Sequence, residues 1–173
     1  MKSTLRTTTA VLLFFLSFNA ANAQKITTAL QFNDYMVSIT DTLYSYGTEW
    51  GQQFNVAFKS KDFTSLAPAR IKLEEFTGKK LLEVTTMKDI GGSENLRAAM
   101  LEFIVFEKQF TGEYFSTIEK FDSKSTDDEI QKALDNLAAG SKKEEVVLKK
   151  VREAQKDYAK KNGFTIEGEE AGN

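Results

Sequence analysis

The sequence predicts an all-α protein, an antiparallel up-down-up-down four-helix bundle with long helices. Three observations predict it. Apolar residues recur every three or four positions over long stretches, the spacing that lines one face of a helix. Pro occurs once in 173 residues, and runs with strand-type alternation are scarce. The apolar stretches are joined by short polar turns, which favour antiparallel neighbours.

In chain order, the first segment reads as an address. Lys2 and Arg6, with no acid nearby, precede a short apolar core at residues 10–18, and Ala21-Asn22-Ala23 places small residues where a signal peptidase reads. Residues 1–23 are therefore expected to be a cleaved signal peptide. About 150 residues remain, enough for one domain to rest on its own core. They must do so without disulfides, because there is no Cys. The lack of Cys also excludes a lipoprotein anchor.

A first helix is expected over about residues 27–59. Phe32, Met36, Ile39, Leu43, Tyr46, Trp50, Phe54 and Ala57 form its seam. Gly47 and Gly51 interrupt it, each at about 1 kcal/mol relative to Ala. Ser60-Lys61-Asp62 is the expected turn. The second helix opens near Ser65, with Pro68 tolerated in its first turn. Leu66, Ala69, Leu73, Phe76, Leu81, Val84 and Met87 give it an apolar side. Asp89-Ile90-Gly91-Gly92 ends it, and Ser93 is placed to cap the third helix.

The third helix, residues 93–121, is the most apolar and needs neighbours on several sides. Its stripe runs through Leu96, Ala99, Phe103, Phe106, Phe110, Tyr114, Ile118 and Phe121. After a turn at residues 122–125, Thr126 and Glu129 form a capping box that opens the fourth helix. That helix is expected to continue past Gly140, although Ser141 and Glu144 offer a second capping box there. Asn162-Gly163-Phe164 reads as a left-handed cap with its hydrophobic contact. The bundle is thus expected over residues 24–164, with an acidic, disordered tail at residues 165–173.

Composition removes whole classes of chemistry. Without His there is no imidazole base, no Ser-His triad and no Glu-x-x-His metal pair. Without Cys there is no thiol nucleophile, iron–sulfur cluster or conventional zinc site. The carboxylates Glu74-Glu75, Glu102, Glu107, Glu113 and Glu144-Glu145 read as solvated helix faces carrying ion pairs, with a carboxylate-only cation site as the alternative. Gly91-Gly92 before a helix is a turn rather than an anion site. No catalytic residue, metal or cofactor is expected. The net charge of −2, more acidic still without Lys2 and Arg6, argues against nucleic acid. No segment of the mature chain is apolar enough to span a membrane.

Aromatic residues make up 12% of the chain. Most fall at core spacing, but Phe32, Tyr35, Phe63, Phe106 and Phe115 lie on differing faces, which makes some of them candidates for an exposed partner surface. Tyr46, Trp50 and Tyr114 fall near one height of the bundle, as do Gly47, Gly51 and Gly140. These glycines either make room for the indole in a filled layer or leave a pocket walled by Tyr46, Trp50 and Tyr114. Trp50 is buried in both cases.

The segments LEFIVFEKQFTGEYF, FDSKSTDDEI and AQKDYAKKNGF resemble a family of exported, surface-associated four-helix proteins of bacteria with an outer membrane. The resemblance covers roughly the last 80 residues and, loosely, the first helix. It implies a four-helix bundle outside the cytoplasm and supplies no catalytic residues. The expected function is a non-enzymatic periplasmic or surface-exposed interaction module for an envelope protein. The alternative is a carrier of a small apolar or lipid ligand in the bundle interior.

Overall fold

The computed structural model describes residues 26–166. The expected signal peptide, and the expected tail beyond Ile166, lie outside the described residues. Between them the chain is all-helical, with four helices and no strand among the described residues.

Helix α1 spans Ala29–Ser60. Thr28 caps it: its hydroxyl accepts from the Gln31 amide while the Gln31 side chain accepts from the Thr28 amide, a reciprocal capping box. Gly47 and Gly51 do not break it. The helix ends at Lys61, which is left-handed at φ 57°. A 3₁₀ turn, Phe63–Leu66, leads into α2, Ala67–Thr86, with Pro68 in its first turn.

The α2–α3 turn is pinned from outside. Gly91 and Gly92 have φ of 62° and 73°, a left-handed conformation that glycine adopts at no steric cost. Tyr158 Oη donates to the Ile90 carbonyl at 2.6 Å, and Asn162 Nδ2 to the Gly91 carbonyl at 3.1 Å. A Cβ on Gly91 would lie 2.4 Å from Asn162 Oδ1. Ser93 does not cap α3 with its side chain as expected. Its hydroxyl instead donates to Asp89 Oδ1 at 2.7 Å and so closes the turn.

Helix α3 spans Glu94–Phe110, but the single regular helix expected to residue 121 is not what forms. A π-helical turn, Thr111–Phe115, follows directly, and the helix closes with Ser116–Ile118. One π turn advances the register by a residue. The buried face accordingly runs through Met100, Phe103, Glu107, Thr111, Phe115 and Ile118. Of the predicted stripe Phe110 is buried as expected, while Phe106 and Tyr114 are only partly buried against the core. Gly112, a poor helix former, sits inside the turn.

Helix α4, Asp127–Asn162, runs unbroken past Gly140. Thr126 and Glu129 form its capping box, Gly163 its left-handed cap, and Phe164 packs edge-on against Tyr158 with ring centres 5.9 Å apart. Helix α3 packs closely against α2 and α4. Helix α1 packs against α2 and, somewhat less extensively, against α4. Among the described residues no helix is long and apolar enough to cross a membrane.

Candidate functional site

The aromatic residues singled out from the sequence divide between two places. Trp50 is buried at 3% exposure and stacks on Phe115, with ring centres 3.8 Å apart and planes 8° from parallel. Phe115 meets Phe110 at 5.6 Å, and Phe110 meets Tyr114 at 5.0 Å, so Trp50 and Tyr114 belong to one layer. Tyr46 instead faces α2, edge-on to Phe76 at 5.5 Å and with Lys72 Nζ 4.1 Å from its ring centre. Gly140 underlies the layer. A Cβ there would stand 2.7 Å from Phe110 and 2.8 Å from Tyr114, so this glycine admits the two rings. Gly47 and Gly51 play no such part, because a Cβ on either would meet nothing within 4 Å. Phe32, Phe63 and Phe115, considered above as candidates for exposure, are buried. Among the described residues the exposed aromatics are Tyr44, at 80%, and Phe58.

The open space lies elsewhere, where α1 and α4 part. A cleft of about 330 Å³ is walled by Val37, Leu43 and Tyr44 of α1, Phe103 of α3 and Leu148 of α4. A second space of about 680 Å³ shares Val37, Asp41, Arg152 and Gln155 with it and extends toward Asn33. Tyr46, Trp50 and Tyr114 line neither. Two polar contacts bridge the seam. Gln155 Nε2 donates to Asn33 Oδ1 at 3.4 Å, and Lys61 meets Asp127 at 3.4 Å.

Two carboxyl groups face each other in this cleft, Glu107 from α3 and Glu144 from α4. Glu107 is only 7% exposed. Its Oε1 and the Trp50 indole nitrogen are buried without a hydrogen-bond partner among the described residues. Burial, then the charge of Glu144 and a hydrogen bond with it, pushes the Glu107 carboxyl up to about 8. Burial also raises Glu144, the hydrogen bond from Glu107 opposes this, and Glu145 adds to it. With both groups ionised, Glu107 Oε1 has no donor to meet. One proton held on the pair removes that conflict, with Glu107 as the acid and Glu144 as the acceptor. The arrangement can therefore hold a proton or, in its place, a cation.

Neither carboxylate is the solvated face group that the sequence reading assigned. The signal was nonetheless present. Glu107 follows Met100 and Phe103 and precedes Phe110 at spacings of three and four, which is a seam position. Glu144 sits likewise between Leu137 and Leu148. By contrast, Glu102 lies exposed on α3 and pairs with Lys150. Among the described residues no three His, Cys, Asp or Glu side chains group closely enough to hold a metal ion.

No protein-family model, curated protein or solved structure matches the chain.

Proposed function

We infer that this chain is a non-enzymatic, exported helical module that acts by binding in the α1–α4 cleft. The observation that carries the reading is Glu107, a carboxyl group buried in the wall of a cleft of mixed apolar and polar lining, with one oxygen unpartnered among the described residues. Burying such a group costs on the order of 1–3 kcal/mol unless something meets it; the proton shared with Glu144 does so in the free protein, and a bound cation can take its place. The cleft is open to water along Tyr44, Asp41 and Arg152, so a ligand can enter it from solvent. The filled aromatic layer around Trp50 argues for the cleft, rather than the interior behind it, as the place of contact.

The architecture in this reading is an antiparallel up-down-up-down bundle. Tyr35 bonds Glu83 and Glu49 meets Lys72 across α1 and α2, so numbers rise on one helix as they fall on the other. Arg70 with Glu119, Glu102 with Lys150, and Lys61 with Asp127 repeat that order around the molecule. Export follows from residues 1–23, and kinship with the surface-associated family from the three segments quoted above. Periplasm or cell surface is the proposed location, and an envelope component the proposed partner.

The test is native mass spectrometry of the protein isolated from the envelope, before and after denaturation, beside a Val37→Trp variant. Val37 lines both parts of the cleft, so the indole fills it. The wild type should carry a bound species that the folded variant lacks. Equal occupancy in both would overturn the reading.

A further inference from the structure

We propose that the α1–α4 cleft is a binding site for a small aliphatic amine, its ammonium seated between the Glu107 and Glu144 carboxyl groups and its hydrocarbon chain along Leu43, Phe103 and Leu148. The proposal rests on the cleft being the binding surface, and it names the chemistry that the cleft would select.

Three features select it. The first is Glu107, nine-tenths buried in the cleft wall, whose Oε1 has no hydrogen-bond partner among the described residues. A donor is what it lacks, and an ammonium carries three. A neutral apolar ligand would leave that oxygen unmet, and an anion would be repelled by Glu144. The second is the nature of the walls. A hard divalent cation asks for six or more oxygen ligands, while here Asp41, Glu107 and Glu144 do not group closely enough to hold one, and Leu43, Phe103 and Leu148 stand beside them. These suit a cation with an apolar stem. The third is size. About 330 Å³ lies at the lower end of small-molecule sites.

The other charged and titratable groups on the cleft are Asp41 and Tyr44 from α1 and Arg152 from α4, with Glu145 beside Glu144. Helix α2 contributes none to its walls. Asp41 adds to the attraction for a cation. Arg152 opposes it, but lies eight residues from Glu144 along α4, about 12 Å at the helical rise. Among the described residues it forms no ion pair with either carboxylate.

Seating the ammonium exchanges one cation for another. The ligand enters as the ammonium ion, the proton held between the carboxyls leaves to solvent, and both carboxylates remain ionised around the ligand. Affinity is therefore linked to pH through one released proton. It rises with pH by up to about tenfold per unit while the pair still holds its proton, then levels.

The probes are hexan-1-amine, hexan-1-ol and hexanoate, titrated into the full chain by calorimetry with amide chemical shifts recorded alongside. The amine should saturate one site, shift the Leu43 and Leu148 amides, and tighten by up to about tenfold per unit from about pH 6 to about pH 8. The alcohol and the acid should bind at least about tenfold more weakly than the amine. Glu107→Gln should weaken the amine by a similar factor and remove its pH dependence, and Glu144→Gln provides a second variant should the first not fold. Equal, pH-independent binding of amine and alcohol in the cleft would overturn this proposal while leaving the cleft as the binding surface. Absence of amine binding up to about 10 mM, the range of the weakest specific complexes, would overturn it as well. The cleft itself fails separately, if Val37→Trp leaves the native bound species in place.

Discussion

Helix α1 has two seams built on opposite plans. Toward α2, polar side chains close the contact. Tyr35 donates to Glu83, and Lys80 Nζ reaches Tyr35 at 3.0 Å and Glu83 at 2.8 Å. Glu49 meets Lys72 at 2.6 Å. Beyond α1, Arg70 joins α2 to α3 through both oxygens of Glu119 at 2.8 Å, and holds Glu74 at 2.7 Å. Every carboxylate in these clusters faces a cation. Toward α4, two acids face each other on an apolar floor. Burial opposes ionisation of Glu83, yet Lys80 and Tyr35 hold its carboxyl below the ordinary value. Glu107, with a like group for a neighbour, is pushed the other way. Opposite charges close a seam, whereas like charges on an apolar floor leave it dependent on a proton or a ligand.

The largest expected effect sits on the acid pair. Glu107 keeps its proton in the folded protein up to about 8, but in the unfolded chain loses it near 4.5. Between those values the folded state binds more protons, so stability falls as pH rises, by up to about 1.4 kcal/mol per unit. Below the window both states are protonated, and above it both are ionised, so the slope disappears at each end. Urea unfolding midpoints recorded across the window should show this decline in the wild type. Glu107→Gln, which cannot ionise, should flatten the part due to this residue and be the more stable protein at the alkaline end. A wild type whose stability rises across the window would break the contrast between the seams.

The paired side should respond in the opposite sense to losing a partner. Arg70→Ala leaves Glu119, itself largely buried, without its cation. A loss on the order of 2–3 kcal/mol is expected, below the full cost for a completely buried pair because water reaches part of the site. Thermal unfolding measures it. A loss under about 0.5 kcal/mol would place this cluster with ordinary surface ion pairs.

Much of this was legible in the chain. Thr126 with Glu129, Pro68 in a first turn and Gly163 followed by Phe164 are local signals, read within one turn of backbone, and the structure uses each of them. Trp50 lies on a seam and is buried, because hydrophobic spacing reports burial directly. The π turn at Thr111–Phe115 was not legible, since its gain is the packing of Phe115 against Trp50 on another helix. Glu107 was half-legible. Its spacing put it on the seam, but charge alone argued for solvent. What settles its position is the cleft left where α1, α3 and α4 meet, a property of three helices together.

Gly140 extends the comparison to the filled layer. Gly140→Leu must displace Phe110 and Tyr114, whose rings already stand within 3 Å of a Cβ at that position. Overpacking of about 1–3 kcal/mol is expected, net of the roughly 1 kcal/mol that any helical residue regains over glycine. The same variant should shift Trp50 emission to longer wavelength as the Phe110–Phe115–Trp50 stack loosens. A stable variant with unchanged emission would mean that the layer holds free space.

The smallest effect concerns the two glycines of α1. Gly47 lies three residues beyond Tyr44, and Gly51 four further, so both continue the side of α1 that carries the cleft-lining Tyr44. Both are helical, neither has a positive φ, and a Cβ on either meets nothing within 4 Å. If the open side of α1 is as free as this geometry states, alanine costs nothing in packing. It would remove only the extra backbone freedom that glycine gives the unfolded chain. Gly47→Ala and Gly51→Ala should then each stabilise by about 0.5–1 kcal/mol, additively, because the sites are a full turn apart and touch no common side chain. Gly140→Ala in the same background should destabilise, since its Cβ enters the rings. Urea unfolding of the three single variants separates the cases by sign. Loss of stability at Gly47 or Gly51 would show that α1 closes on α4 in solution along this stretch, which would leave the cleft at Glu107 shorter and drier than described.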